Sequence, residues 1–302
     1  MKPVATHMSL SQWGLLLLLA LLWGGSFLFV GIAVKELPPL TIVLARVALA
    51  AILLIPVVYA LGHRLPSTIA GWQQFFIMAI LNNVIPFTLI VSGQKEIASG
   101  LASVLNATTP VFALLVAYGL AGEPLKTNKL AGVLLGIAGV AVLVGPEAMF
   151  GRMSNVIGMV CLLGAACSYG LSGLWGRRLR EYPPLVTAAA QLTCSTAMLI
   201  PLALLVDQPW ALARPSAETV VAIAALAAFS TSLAYVVFFR IMAVSGSTNV
   251  MLVTLLIPAF AIPMGAWRLA ETLQLRHFLG AAIIALSLLV IDGRILPRRA
   301  HV

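Results

Sequence analysis

The side chains able to do chemistry in this sequence are few, and the most telling kinds are missing from its apolar stretches. All nine acids (Glu36, Glu96, Glu123, Glu147, Glu181, Asp207, Glu218, Glu271 and Asp292) fall at or near the ends of long apolar runs. Ion-coupled carriers often keep a carboxylate at depth to bind Na⁺ or a proton. A coupling site of that kind is not expected here, and neither is hydrolysis by paired carboxylates. His63, His277 and His301 lie in loops or the tail and His7 in the leader, so the apolar runs offer no general base. Cys161, Cys167 and Cys194 sit inside apolar runs without metal-ligand or disulfide spacing. No metal, no cofactor and no enzymatic activity are expected.

What remains is one buried cation and a set of amides and hydroxyls. Arg46 lies about 7 residues into an apolar run, on the order of 10 Å deep at helical rise. Such an arginine must snorkel, bind backbone carbonyls, or face water and serve as the partner of a substrate carboxylate. Asn82 and Asn83 precede Pro86 by one turn. Asn106 stands four residues before Pro110, as Thr254 does before Pro258. Proline removes a helical hydrogen bond and kinks the helix, and a nearby Asn or Thr can satisfy the freed carbonyl. Support of a kink is therefore one reading of these residues. The other is that kinked segments face a cavity and their polar groups bind a solute.

Aromatic residues accompany them. Ser168, Tyr169, Ser172 and Trp175 recur at helical spacing, and Ser230, Thr231 and Tyr235 stand where Asn82 and Asn83 stand earlier in the chain. A polar and aromatic stripe suits an amphipathic organic solute better than a bare ion. Core packing is the competing explanation for each. The candidate substrate site is thus Asn82, Asn83, Asn106, Tyr169, Ser172, Trp175, Thr231, Tyr235, Thr254 and Arg46, with Pro86, Pro110 and Pro258 as hinges.

The elements that must position these residues are membrane helices. The composition is 61% hydrophobic and 9% charged, far from the roughly 25% charged of soluble domains. Apolar runs of about twenty residues recur, each long enough to cross a hydrocarbon core about 30 Å thick. Lipid offers exposed backbone no partner, so the spans must be helices. We place ten, at 12–34, 39–61, 71–93, 97–121, 128–146, 155–177, 184–206, 217–240, 247–269 and 276–292. The formal charge of +9 is an orienting and lipid-contacting charge in short loops, with no nucleic-acid partner implied.

The chain repeats itself. Pro110, Glu123, Leu125 and Gly132 recur as Pro258, Glu271, Leu273 and Gly280 at an offset of 148, and Pro38, Pro39 and Pro56 as Pro183, Pro184 and Pro201 at 145. Arg46 has Gln191 as its mate. The expected organisation is a leader and N-terminal tail (1–11), a first five-helix repeat (12–146), a linking loop (147–154), a second five-helix repeat (155–292) and a tail (293–302). An odd number of spans per repeat inverts the second copy, an architecture that places a site near the midplane. Ten Lys and Arg fall on one side and six on the other. The richer side holds both termini, which we place in the cytoplasm. Gly132, Gly136, Gly139 and Gly280 allow close approach of the fifth and tenth spans, as scaffold. Glu123 and Glu271 in tight turns suit helix-end capping or interfacial pairing.

Taken together, WGGSFLFVGIAVKELPPLTIVLAR near the start and AGEPLKTNKLAGVLLGIAGVAVLV with its second-half counterpart resemble EamA-type members of the drug/metabolite transporter superfamily. The likeness covers nearly the whole chain. Arg46 within LARVALAAILLIP and Glu123 within AGEPL match typical family positions, while GAWRLAET departs from them at Trp267 and Arg268. The resemblance implies an all-α polytopic membrane protein: ten transmembrane helices in two inverted five-helix repeats around a central cavity, working by alternating access. It looks closest to bacterial inner-membrane exporters of aromatic and other neutral amino acids. The partners implied are a small-molecule substrate and membrane lipid, with a monomer as the simplest assembly. A passive metabolite channel, a broad drug exporter and a membrane-embedded enzyme are the competing classes, and the enzyme lacks a catalytic set.

Overall fold

A chain this apolar has to satisfy its backbone polar groups within each segment, and the result is helix throughout. The computed structural model describes residues 9–124, 127–144, 153–250, 253–272 and 274–292. The leader before residue 9, residues 147–152 of the linking loop and the 293–302 tail lie outside the described residues. So do the repeat partners Leu125 and Leu273.

Among the described residues, ten long helical runs follow one another, with a short 3-10 turn at Pro209–Ala211 between the seventh and eighth: α1 (Leu10–Ala33), α2 (Pro39–Ala60), α3 (Ile69–Gln94), α4 (Ser99–Ala121), α5 (Thr127–Val144), α6 (Met153–Leu179), α7 (Pro184–Val206), α8 (Ala217–Val250), α9 (Val253–Leu269) and α10 (Leu275–Asp292). Among the described residues no strand occurs. Seven of the runs are long and apolar enough to cross a membrane, and Lys129–Val142, Leu256–Leu269 and Leu275–Val290 are shorter apolar helices. Ile52, Leu205 and Trp267 are among many large apolar side chains turned outward, at 65%, 77% and 84% exposure. So much outward apolar surface fits contact with lipid and not with water.

Helix starts are written locally. The Ser9 hydroxyl and the Gln12 side chain close a capping box on α1. Pro39 and Pro184 open α2 and α7 in the first turn, where a missing N–H costs nothing. Thr68 caps α3 and Ser216 caps α8 through the N–H groups of Gly71 and Thr219. Gly122, with φ of 65°, ends α4 in the left-handed conformation that glycine adopts freely.

Among the described residues, three interruptions fall inside the long helices, each beside polar side chains, and α6 ends in a 3-10 turn at Gly176–Leu179. Residues Ile80–Val84 of α3 and Ala228–Leu233 of α8 form wide π turns, related by the 148 offset. Such turns interrupt α-helices mostly at functional sites. In α4 the α-helical turns break at Ala107 and Thr108, just before Pro110. Pro258 behaves differently from its mate, since α9 runs through it unbroken.

Glycines set how closely the rods approach. A Cβ added at Gly158 of α6 would stand 3.0 Å from the carbonyl of Gly93 in α3, and one at Gly93 would stand 2.9 Å from the carbonyl of Gly158. Likewise Gly139 of α5 faces the Ile284 nitrogen of α10 at 3.0 Å, and Gly136 faces Ser287. The scaffold role read for these two positions therefore holds in the packing.

One end of the bundle is tied by carboxylates. Glu36 accepts from the N–H and hydroxyl of Ser216 at 2.7 and 2.6 Å. Asp207 accepts from the N–H and hydroxyl of Thr41 at 2.7 and 3.0 Å. Glu271 accepts from the N–H groups of Ser99 and Gly100 and from the Ser99 hydroxyl. Each places an anion on a helix N-terminus. The Ser216 hydroxyl, then its N–H, hold the Glu36 carboxyl below the usual carboxylate range. A depressed pKa means the contact is intact above the unfolded-state value and lost only as pH falls through the lowered one. Glu271 thus caps a helix, while Glu123 pairs with Arg177 at the opposite end. At Trp267–Arg268 the departure from the family pattern has a local partner: Arg268 pairs with Glu218 in the first turn of α8.

Candidate functional site

A cavity of about 810 Å³ lies among α1, α2, α3, α4, α6, α7, α8 and α9. Among the described residues, α5 and α10 contribute nothing to its wall. At one end the lining includes the exposed Arg177 and Arg180; toward the other it stops at the buried Val30, Phe87 and Ile90. The cavity therefore meets the surface at the end opposite the Glu36, Asp207 and Glu271 caps.

Among the described residues, Arg46 is the only charged one in the buried part of the wall. It is 6% exposed. Its Nε donates to the Thr231 hydroxyl at 3.0 Å, and its guanidinium lies over the Phe87 ring, 3.6 Å from the centroid. The Thr231 hydroxyl accepts there while donating its own proton to the Leu226 carbonyl at 2.9 Å, five residues back. Both ion pairs among the described residues are at the surface, so no described carboxylate neutralises Arg46. No acid among them lines the cavity either. A buried unpaired charge costs several kcal/mol unless compensated. The ring face contributes about 2 kcal/mol when desolvated, and the terminal nitrogens are left without an acceptor among the described residues.

The asparagines divide. Asn82 lines the cavity, donating to the Gln191 Oε1 at 3.1 Å and to the Tyr235 hydroxyl at 3.3 Å, and accepting from Ser172 at 3.1 Å. Asn83 does not join Asn82 in the cavity wall. One residue further along the helix, it is fully buried outside the lining, with its amide spent on Ser195 at 2.9 Å and on Tyr235. Asn106 does line the cavity, and its kink does not need it. The hydroxyl of Thr109 donates to the Asn106 carbonyl freed by Pro110, at 2.7 Å. That leaves the Asn106 side-chain oxygen buried without a partner.

Of the remaining candidates, Tyr169, Ser172, Thr231, Tyr235, Thr254 and the hinge Pro110 line the cavity, whereas Pro86 and Pro258 do not. Trp175 is not among the lining residues. Its indole N–H donates to the Gln74 carbonyl and Arg178 covers its ring, so it supports the outer side of α6. At about 100° per residue, Trp175 lies about 120° round α6 from Tyr169, while the lining continues past it on the face of Tyr169, Gly173, Gly176 and Arg177. Gln191, Ser230 and an aromatic wall of Trp23, Phe27 and Phe238 also line the cavity, although none was among the candidate substrate-site residues. Gln191 was within reach as the repeat mate of Arg46: it faces Asn82 as Arg46 faces Thr231.

The sequence profile of the EamA-like transporter family matches residues 12–145 and again 156–292. An uncharacterized transporter, YvbV of Bacillus subtilis, is 25% identical over 95% of this chain and 93% of its own length. An uncharacterized transporter of Archaeoglobus fulgidus is 29% identical over 85% of this chain and 89% of its own. The uncharacterized inner membrane transporter YedA of Escherichia coli is 25% identical, covering 93% and 90%. A crystal structure 19% identical in sequence shares the fold, with a TM-score of 0.67 over 92% of this chain and 96% of that one. With the family matched twice along nearly its full length, and with helices built to lie in lipid around a solute-sized cavity, the chain belongs to the EamA-like transporter family of multi-pass membrane transporters.

Proposed function

We propose that this protein is a secondary transporter of the bacterial inner membrane that exports small amphipathic metabolites, in the first place aromatic and other neutral amino acids, by alternating access. The observation that carries the reading is the one-ended cavity closing on a buried arginine with no carboxylate beside it among the described residues. Arg46 takes the substrate carboxylate on its free nitrogens. The unpartnered Asn106 oxygen and other neutral acceptors suit an ammonium group, and the rings of Tyr169, Tyr235 and Trp23 cover an apolar side chain, each contact worth about 0.5–1.5 kcal/mol. A cavity of about 810 Å³ falls within the roughly 300–1,000 Å³ typical of ligand sites.

All ten helices cross the membrane in this reading, as two inverted five-helix repeats. Contacts at the two ends among the described residues support it: Glu36 with Ser216, Thr41 with Asp207 and Ser99 with Glu271 on one expected side, and Glu123 with Arg177 on the other. The ten-to-six charge bias puts the Arg177 end, and both termini, in the cytoplasm. The cavity thus faces the cytoplasm, ready to load cargo for export. The inner membrane is also where YedA is named to reside. A channel would need a path past Val30, Phe87 and Ile90, and a carrier of cationic drugs would be ill served by a cavity lined with three arginines and, among the described residues, no acid.

Counterflow tests this. Proteoliposomes preloaded with unlabelled amino acid should transiently accumulate labelled tyrosine, phenylalanine or a neutral aliphatic amino acid, saturably, and should ignore lysine. Flux rising linearly with concentration would mean a channel, and silence across the panel would remove the substrate class.

A further inference from the structure

The Glu36 contact has a counterpart written into the sequence of the opposite end, where it is not made. Glu36 opens the segment Glu36–Leu40 (ELPPL), and 145 residues later Glu181 opens Glu181–Leu185 (EYPPL). The donor to Glu36, Ser216, is the N-cap of α8, and 148 residues earlier Thr68 is the N-cap of α3. Glu36 with Ser216 therefore maps onto Glu181 with Thr68.

At the open end both groups are available. The Thr68 hydroxyl accepts from the Gly71 N–H at 3.2 Å, so its proton remains to be donated, as the Ser216 proton is donated to Glu36. Glu181 is exposed and, among the described residues, makes no hydrogen bond or ion pair. The two are close in the fold. Tyr182, the next residue, packs edge-on against Phe75 of α3 with ring centroids 4.9 Å apart, and its hydroxyl would be 2.9 Å from a Cβ placed on Gly71.

We propose that Glu181 is the latch of the cytoplasmic end: when the cavity closes there, its carboxylate takes the Thr68 N–H and hydroxyl while Glu36 releases Ser216. This rests on the two-repeat, alternating reading above. The physical merit of the exchange is that each state keeps one charge-capped helix of the same kind. A ligand can shift a two-state equilibrium only by its differential affinity, so a working carrier needs states of similar energy. Trading one carboxylate cap for its mirror image supplies that near-balance.

The test reads conformation without reading transport. A single reporter, Gly176→Cys, is placed at the mouth, where an added Cβ meets only the Met78 terminal carbon at 3.7 Å. The native Cys161, Cys167 and Cys194 are replaced by serine, and the labelling rate by a bulky maleimide is measured on purified protein in detergent. Glu36→Ala weakens the state seen here and should slow labelling about tenfold, the scale of one charge-assisted hydrogen bond. Glu181→Ala weakens only the other state, so labelling should be as fast as in the parent or faster. The double variant should return to within about twofold of the parent. The latch is overturned if Glu181→Ala slows labelling, or if the double variant stays as slow as Glu36→Ala. Glu36→Gln and Glu181→Gln repeat the comparison if an alanine variant is poorly folded. An unchanged labelling rate in all variants likewise overturns the latch, and counterflow then judges the transporter reading independently.

Discussion

Replacing Arg46 with alanine raises the half-saturating substrate concentration at least tenfold and leaves the yield of folded protein near that of the parent. The missing counter-ion is the reason. Removing one member of a buried ion pair orphans the other, at about 3–5 kcal/mol; here no carboxylate is orphaned, because none faces Arg46 among the described residues. The protein loses one hydrogen bond to Thr231, whose hydroxyl still donates to Leu226, and the stacking on Phe87. The substrate loses its charge-assisted contacts, each about 1.5–3 kcal/mol, or about tenfold to a hundredfold in affinity. Arg46→Lys falls between the two, since an ammonium keeps the charge and loses the planar fork. Concentration dependence of counterflow in the three proteins measures this directly. Parent-like transport by Arg46→Ala would reduce Arg46 to a prop between α2 and α8.

The second large effect is on the fold. Gly158→Val should abolish most of the folded protein, because α3 and α6 meet backbone to backbone at Gly93 and Gly158. The first added carbon already stands 3.0 Å from the Gly93 carbonyl and 2.9 Å from the Ile97 side chain, and a carbonyl cannot rotate aside as a long side chain can. Overpacking typically costs about 1–3 kcal/mol, and separating the helices would also pull Asn82 from Ser172. Gly119→Ala is the control. Nothing lies within 4 Å of its added Cβ, and it should be neutral or slightly stabilising, by up to about 1 kcal/mol for alanine over glycine in a helix. Size-exclusion profiles and thermal inactivation of the three proteins check the contrast. A monodisperse, heat-resistant Gly158→Val would mean that the helices pack less closely than described.

How much of this could be read beforehand differs from residue to residue. The helices were legible because hydrocarbon leaves the backbone no other economical form, and their order because prolines and turn residues punctuate the chain. Arg46 was legible because a charge in an apolar run stands out. Its partner was not: Thr231 lies 185 residues away, and only the packing of α2 on α8 brings the two together. The π turns escaped notice, since a wide turn depends on which carbonyls the neighbouring hydroxyls capture, and one-dimensional spacing does not contain that. This is also why Asn82 and Asn83 were read alike. Adjacent helix positions differ by about 100° in direction, which sends Asn82 into the cavity wall and Asn83 into the α7 interface at Ser195. Conversely, the support expected from the Asn106 side chain is supplied by the hydroxyl of Thr109, a residue the proline pattern did not single out.

The central claim is that the cavity around Arg46 is where cargo sits, and it can be tested at Gly173. This residue lines the cavity, and a Cβ added there meets nothing within 4 Å, so a cysteine is accommodated without disturbing the wall. In inverted membrane vesicles, which present the cytoplasmic face, the Gly173→Cys protein should react with an impermeant maleimide. A saturating amino acid drawn from the counterflow panel should slow that reaction severalfold, and the protection should vanish in the Arg46→Ala background. Unchanged labelling in the presence of a transported amino acid, or access only from the opposite face, would contradict the account.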